Sequence, residues 1–168
     1  MTSTIVTALL FDGLFAAGAA IGFCLISNPQ RNAIPICALL AAIGHALRYW
    51  LTHYFELDIA TASFIAAFSI GLLSIIFAKL IRCPAEVFSF PSLLPMIPGM
   101  YAYKTILGLV KFLKNTESDV AVNILLDVFK NGTTATFILF ALVVGVAIPI
   151  FIFHKQSFSV TRNKLVGK

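Results

Sequence analysis

Long apolar runs separated by short polar breaks make up nearly the whole chain. They cover residues 5–27, 33–54, 59–81, 85–113 and 120–153. About 20 apolar residues suffice for a helix to cross the hydrocarbon core, so each run predicts a membrane-crossing helix. The breaks carry turn residues and charge: Asn28-Pro29-Gln30-Arg31-Asn32, then Glu56 and Asp58, then Arg82 to Pro84, then a polar loop of Lys111, Lys114, Glu117 and Asp119. Leading basic residues are missing from the first run and Asp12 lies inside it, so it reads as a retained helix and not a cleaved signal. The last run exceeds the length a bilayer needs. It is divided into a polar-studded part up to Asn131 and a spanning part over 133–153. Within the runs, Gly18 and Gly22, and Ser63, Ala67 and Gly71, recur at the four-residue spacing that lets helix backbones approach closely in lipid.

The fourth run departs from this pattern. FSFPSLLPMIPGMYAY, residues 88–103, is apolar but carries Pro91, Pro95, Pro98 and Gly99. Each proline removes a backbone donor and clashes with the carbonyl four residues back, so an unbroken helix is not expected through the segment. Carbonyls and amides freed at membrane depth need partners inside the protein or in a water-filled cavity. The segment is therefore either a packing kink or a functional break. In the second reading, the helix that starts after Gly99 would favour an anionic group at its N-terminus.

Composition raises the membrane reading from pattern to requirement. Of the 168 residues, 60% are hydrophobic and 11% charged, with a mean hydropathy of +0.97. A soluble domain of this length has too much surface to hide so many apolar side chains. The expectation is a single all-α transmembrane domain over residues 1–168, with a basic tail from about 154. The net charge of +5 does not point to nucleic acid. Lys155, Arg162, Lys164 and Lys168 gather behind the last apolar run, which is a cytoplasmic anchor pattern. Five crossings put Arg31, Lys79, Arg82 and this tail on one side and Glu56 and Asp58 on the other. The N-terminus is then outside and the C-terminus cytoplasmic, with Lys111 and Lys114 as the exception. Cys24, Cys37 and Cys83 stand singly, as buried thiols do, and His45, His53 and His154 lack ligand spacing, so neither a disulfide framework nor a metal site is expected. No phosphate loop, HExxH or GxSxG motif supports ATP hydrolysis or membrane-embedded enzymology, and no cofactor is implied.

Polar residues within the runs are the candidate chemistry, because each is costly in hydrocarbon. His45 and Arg48, three apart, share a helix face beside Gly44. They form either a cationic pocket for a carboxylate or, for Arg48, an interfacial snorkel. Lys104 follows the broken segment within two turns and can reach back toward it. Asp12 pairs with Arg48 or Lys104, or lies near the outer surface. Asn123, Asp127 and Asn131 recur every four residues, as a face toward a water-filled path, a partner subunit or solvent. His45, Arg48, Pro98, Gly99 and Lys104 are thus substrate-binding candidates. Asp12, Asn123, Asp127 and Asn131 are candidates for proton coupling or subunit contact.

Two of these stretches carry a family resemblance. Cys37-Ala-Leu-Leu-Ala-Ala-Ile-Gly44-His45 with Arg48 following, and Leu94-Pro95-Met96-Ile97-Pro98-Gly99 leading to Tyr101 and Tyr103, resemble signatures of the bacterial threonine/serine exporter family. Ile148-Pro149 before a basic tail is similar as well. Gly44, His45, Pro95, Pro98, Gly99 and Tyr101 are the matching positions, and Tyr101 joins the substrate-binding candidates on this ground. The chain resembles the small stand-alone subunit of the family's split, two-component form. That resemblance implies a bacterial inner-membrane exporter, active as an oligomer with a larger membrane subunit. Succinate is the substrate implied for the split pair, and threonine or serine for the fused proteins. A non-transporting scaffold for the larger subunit is the alternative from another class.

Overall fold

The computed structural model describes residues 2–114 and 118–153, and its described residues are helical with no strand. Six α-helices follow in order: α1 Thr2–Ser27, α2 Ile34–Tyr54, α3 Ile59–Ile81, α4 Glu86–Leu93, α5 Gly99–Lys114 and α6 Ser118–Ile152. Short 3-10 turns at Arg31–Ala33 and Leu94–Met96 precede α2 and follow α4. Helices α1, α2, α3 and α6 are each long and apolar enough to cross a membrane. A fifth crossing is completed if α4 and α5 are halves of one broken span. His154, Lys155, Arg162, Lys164, Lys168 and Glu117 lie outside the described residues.

Local chemistry sets the helix ends. Asp58 caps α3, its carboxylate accepting from the Ala60 amide at 2.9 Å, which satisfies one of the four donors a helix start leaves free. Arg82 ends α3 in the left-handed region, at φ 59°. Pro35 stands in the first turn of α2, where its missing donor is not needed. The polar-studded and apolar parts of the last run form one unbroken helix, α6. Asn131, Thr133, Thr134 and Thr136 do not interrupt it, because each side chain donates to a carbonyl one turn back.

The chain forms two compact units, Met1–Met96 with Ala141–Lys168, and Ile97–Phe140. In the first, a core of Cys24, Leu40, Cys37, Ile75, Ala78 and Phe88 joins α1 to α4, with Ile150 of α6 against it. Small residues permit the close contacts. A Cβ at Gly145 would stand 2.7 Å from the Phe64 carbonyl oxygen, and one at Gly71 would stand 2.5 Å from Cγ of Pro149. Gly13 approaches the Ala42 carbonyl, while Ala16, Ala20 and Ala41 form a buried patch. The packed stripe of α1 is therefore Gly13, Ala16, Ala20 and Cys24. Gly18 and Gly22, expected to pack, have nothing within 4 Å of where a Cβ would be. At 100° per residue they point away from that stripe.

In the second unit, α5 and the first part of α6 form a helical pair. Gly108 admits Val128, and Thr105 lies close to Gly132. Helix α5 buries no residue fully.

Candidate functional site

The prolines of residues 88–103 do not act alike. Pro91 sits inside α4 without ending it, and the expected interruption falls at Ile97-Pro98. Its missing N–H would have bonded the Val87 carbonyl, and the Cys37 thiol donates to that oxygen instead, at 3.4 Å. The Ser92 hydroxyl lies 2.6 Å from the Phe88 carbonyl and 2.9 Å from that of Cys37, tying α4 to α2. Pro95 stands in the 3-10 turn, and helical bonding stops at Ile97-Pro98. Helix α5 then opens at Gly99, whose N–H is engaged by the Ile97 carbonyl at 2.8 Å, with Pro98 O accepting from the Ala102 amide.

The carbonyls left free just before the stop are where the charged residues converge. Arg48 Nη1 donates to the Met96 carbonyl at 3.0 Å. His45 Nε2 lies 3.2 Å from the Pro95 carbonyl and 3.0 Å from Arg48 Nη2, and His45 Nδ1 lies 2.7 Å from the Asp12 carboxylate. Three elements, α1, α2 and the 3-10 turn after α4, thus meet through three side chains. Gly44 makes the convergence possible, because a Cβ there would press on Ile70 and stand 2.6 Å from Cε of Met96. Asp12 pairs with His45, a partner outside the two cations expected for it. Arg48 is neither a snorkelling side chain nor an open fork, being held by the end of the broken segment. The bare physical requirement that buried carbonyls find donors accounts for that engagement.

Hydrogen-bond accounting at His45 is restrictive. Asp12 accepts, so Nδ1 carries a proton. Nε2 faces a guanidinium that can only donate and a carbonyl that can only accept. With a lone pair, Nε2 accepts from Arg48 and leaves Pro95 O without this donor. With a proton, it donates to Pro95 O and can no longer accept from Arg48. The two bonding patterns exclude each other, and one proton separates them.

A second polar cluster lies within the Ile97–Phe140 unit. Lys104, Leu107, Gly108 and Lys111 of α5 and Ile124, Asp127 and Asn131 of α6 line a cleft of about 400 Å³. Lys104 and Lys111 are seven apart, two helical turns, and so stand on one face. Among the described residues no ion pair joins either lysine to Asp127. The structure thus sorts the predicted residues into groups. Asp12, His45 and Arg48 meet at the end of α4's 3-10 turn. Lys104, Asp127 and Asn131 meet at the cleft, Asn123 lies outside its lining, Pro98 and Gly99 mark the stop, and half-buried Tyr101 is on α5 outside that lining. Sequence reasoning placed Lys111 in a loop, although its spacing from Lys104 was a readable signal. The Cys37 thiol as a substitute donor had none. No group of His, Cys, Asp or Glu suited to a metal occurs among the described residues.

The described residues thus hold an all-helical, multi-pass membrane architecture, with a helix stopped at a Pro-Gly step and an Asp-His-Arg cluster on its free carbonyls. Residues 12–152 match the family described as "Threonine/Serine exporter, ThrE", and the chain belongs to this family. An uncharacterized protein of Haemophilus influenzae (strain ATCC 51907 / DSM 11121 / KW20 / Rd) is 36% identical over 148 residues. The alignment takes in 88% of this chain and 48% of that relative, so the chain spans about half the relative's length. No solved structure matches.

Proposed function

We propose that this chain is the smaller membrane subunit of a two-component secondary exporter of small carboxylate-bearing metabolites in a bacterial inner membrane. The observation that carries the reading is the chain of contacts from Asp12 through His45 to Arg48 and the two free carbonyls at Pro95 and Met96. Intramembrane titratable groups bonded to a broken helix are the parts from which secondary transporters build coupling and substrate sites. A proton arriving at His45 Nε2 moves that nitrogen from Arg48 to the Pro95 carbonyl. Arg48 Nη2 then loses His45 as an acceptor while Nη1 stays on Met96. Proton binding and the conformation of the break are thereby linked.

Family membership supports export, and threonine or serine fits it as well as succinate does. The two-component form, with a larger membrane subunit as partner, rests on the resemblance carried by residues 37–48 and 94–103. In this reading the N-terminus is outside, which the distribution of Arg31, Lys79 and Arg82 against Glu56 and Asp58 supports. A scaffold that only stabilises the larger subunit would leave the Asp12–His45–Arg48 cluster without a transport role.

The test is efflux of succinate and of L-threonine from cells expressing the chain with its larger partner, comparing wild type with Arg48→Ala and Gly99→Leu at matched expression. Export should fall at least about tenfold for Arg48→Ala, corresponding to one lost interaction of about 1.4 kcal/mol. Wild-type rates in both variants would remove these residues from the pathway. Transport by the larger subunit alone in liposomes would establish the scaffold reading.

A further inference from the structure

A pocket separate from both clusters lies within the first unit, where the chain turns between membrane-crossing helices. Asn28 at φ 47° and Arg82 at φ 59° turn the backbone after α1 and α3. The Cys83 thiol donates to Gln30 Oε1 at 2.8 Å and ties the two turns together. The pocket they border holds about 290 Å³. Glu86, in the first turn of α4, lines it, and among the described residues its Oε2 is buried without a hydrogen-bond partner. A carboxylate oxygen in that state costs free energy until a donor reaches it. We infer that this pocket binds a membrane phospholipid whose head group carries a primary ammonium, and that Glu86 is the acceptor that selects it. Binding of this lipid does not depend on the exporter reading.

The polar part of the lining is rich in acceptors. Gln30 Oε1 takes the thiol proton and keeps a second lone pair. The Ser27 hydroxyl donates to the Phe23 carbonyl at 3.0 Å, so its oxygen is presented as an acceptor. Ser27 is also the last residue of α1, at the negative end of a 26-residue helix dipole. A primary ammonium brings a positive charge and three N–H donors, which suit the oxygens of Glu86, Gln30 and Ser27. A trimethylammonium brings the same charge with no donor, and leaves Glu86 Oε2 unbonded.

The remaining wall fixes what carries the ammonium. Val87, Phe90 and Pro91 form an apolar side, and Phe90 is 61% exposed, so this side is open to surrounding lipid. A bare divalent cation is a poor match, because it takes about six oxygen ligands and most of the lining side chains supply none. The helices end together here: α1 stops at Ser27 and α3 at Ile81, while α2 and α4 begin at Ile34 and Glu86. The pocket therefore stands at the level of lipid head groups. Arg31 and Arg82, both exposed, follow Gln30 and precede Cys83 in the sequence, which puts cations beside the pocket for the lipid's phosphodiester.

Native mass spectrometry of the full chain in detergent, titrated with phosphatidylethanolamine and phosphatidylcholine of identical acyl chains, reads the selection. The two lipids share phosphate and net charge and differ in whether the ammonium can donate. Wild type should bind phosphatidylethanolamine at least about tenfold more tightly, a difference of about 1.4 kcal/mol. Glu86→Met removes the acceptor and should bring the two affinities together, with Glu86→Gln between it and wild type. Phe90→Ala should weaken both lipids alike and keep their ratio. Thermal unfolding in detergent shows that each variant remains folded. Equal binding of the two lipids by wild type, or a preference that survives Glu86→Met, would overturn the assignment. Free phosphoethanolamine bound as tightly as the lipid would overturn it too, by making the pocket a site for a soluble amine.

Discussion

His45 Nδ1 lies 2.7 Å from Oδ2 of Asp12, joining residues 33 apart in the sequence across the α1–α2 contact. His45 is only 15% exposed, whereas Asp12 is 31% exposed, so the pair runs from a shielded to a more open position. Asp12 is the element that fixes which nitrogen of His45 faces the broken segment. Replacing it by Asn keeps the shape but exchanges an ionised acceptor for a neutral one. Asp12→Asn should lower export more than it lowers stability, while Asp12→Ala should also reduce the unfolding free energy by about 1–3 kcal/mol, through the unpaired imidazole donor. Efflux and thermal unfolding of the two variants, measured side by side, check this; equal efflux in Asn and wild type would remove the pair from the coupling step.

Arg48 bridges a backbone carbonyl and a side chain, with Nη1 on Met96 O and Nη2 on His45 Nε2, both at 3.0 Å. One ammonium cannot reproduce this fork. Arg48→Lys should therefore retain charge and lose function nearly as fully as Arg48→Met. Efflux from Arg48→Lys at more than half the wild-type rate would show that charge alone suffices.

Pro91 and Cys37 should be energetically coupled. The Val87 carbonyl that Pro91 leaves free is taken by the Cys37 thiol. Cys37→Ala should cost about 1 kcal/mol for the lost hydrogen bond in the wild-type background, on top of the cavity left by the buried sulfur. In a Pro91→Ala background, the restored backbone N–H makes the thiol's hydrogen bond redundant, and the cost should fall to that of the cavity alone. A double-mutant cycle on unfolding reads the coupling directly. Identical Cys37→Ala costs in the two backgrounds would contradict it.

The glycines divide sharply by what surrounds them. Gly99 has open space where a Cβ would be, so Gly99→Ala should leave unfolding unchanged or raise its temperature through better helix propensity. Gly145→Ala would push a methyl to 2.7 Å from the Phe64 carbonyl and should destabilise by about 1–3 kcal/mol. Gly44→Ala displaces the buried side chains of Ile70, at both Cδ1 and Cγ1, and of Met96 at Cε, with no backbone in the way. It should fold, yet lose export, because Met96 also supplies the carbonyl held by Arg48. An unfolding temperature for Gly145→Ala equal to that of Gly99→Ala would refute the packing assignment.

Apolar run length determined by itself that the protein is helical and membrane-embedded, because in lipid a backbone can satisfy its hydrogen bonds only within helices or closed barrels. The special status of residues 88–103 was likewise legible, since proline's missing donor is a covalent fact. Tertiary structure decided what that status meant. Whether a proline ends a helix depends on a donor from elsewhere: Cys37 keeps Pro91 inside α4, whereas the free carbonyls of Pro95 and Met96 are met by His45 and Arg48. The partner of Asp12 could not be chosen from spacing, because pairing between helices depends on their rotation, which small residues such as Gly13 and Gly44 set through contact. Lys111 came to line the same cleft as Asp127 only once Gly108 and Val128 had brought α5 and α6 together. Periodicity along one helix is a local property of the chain. The identity of the group across from it is not, and the chemistry proposed here belongs to those groups.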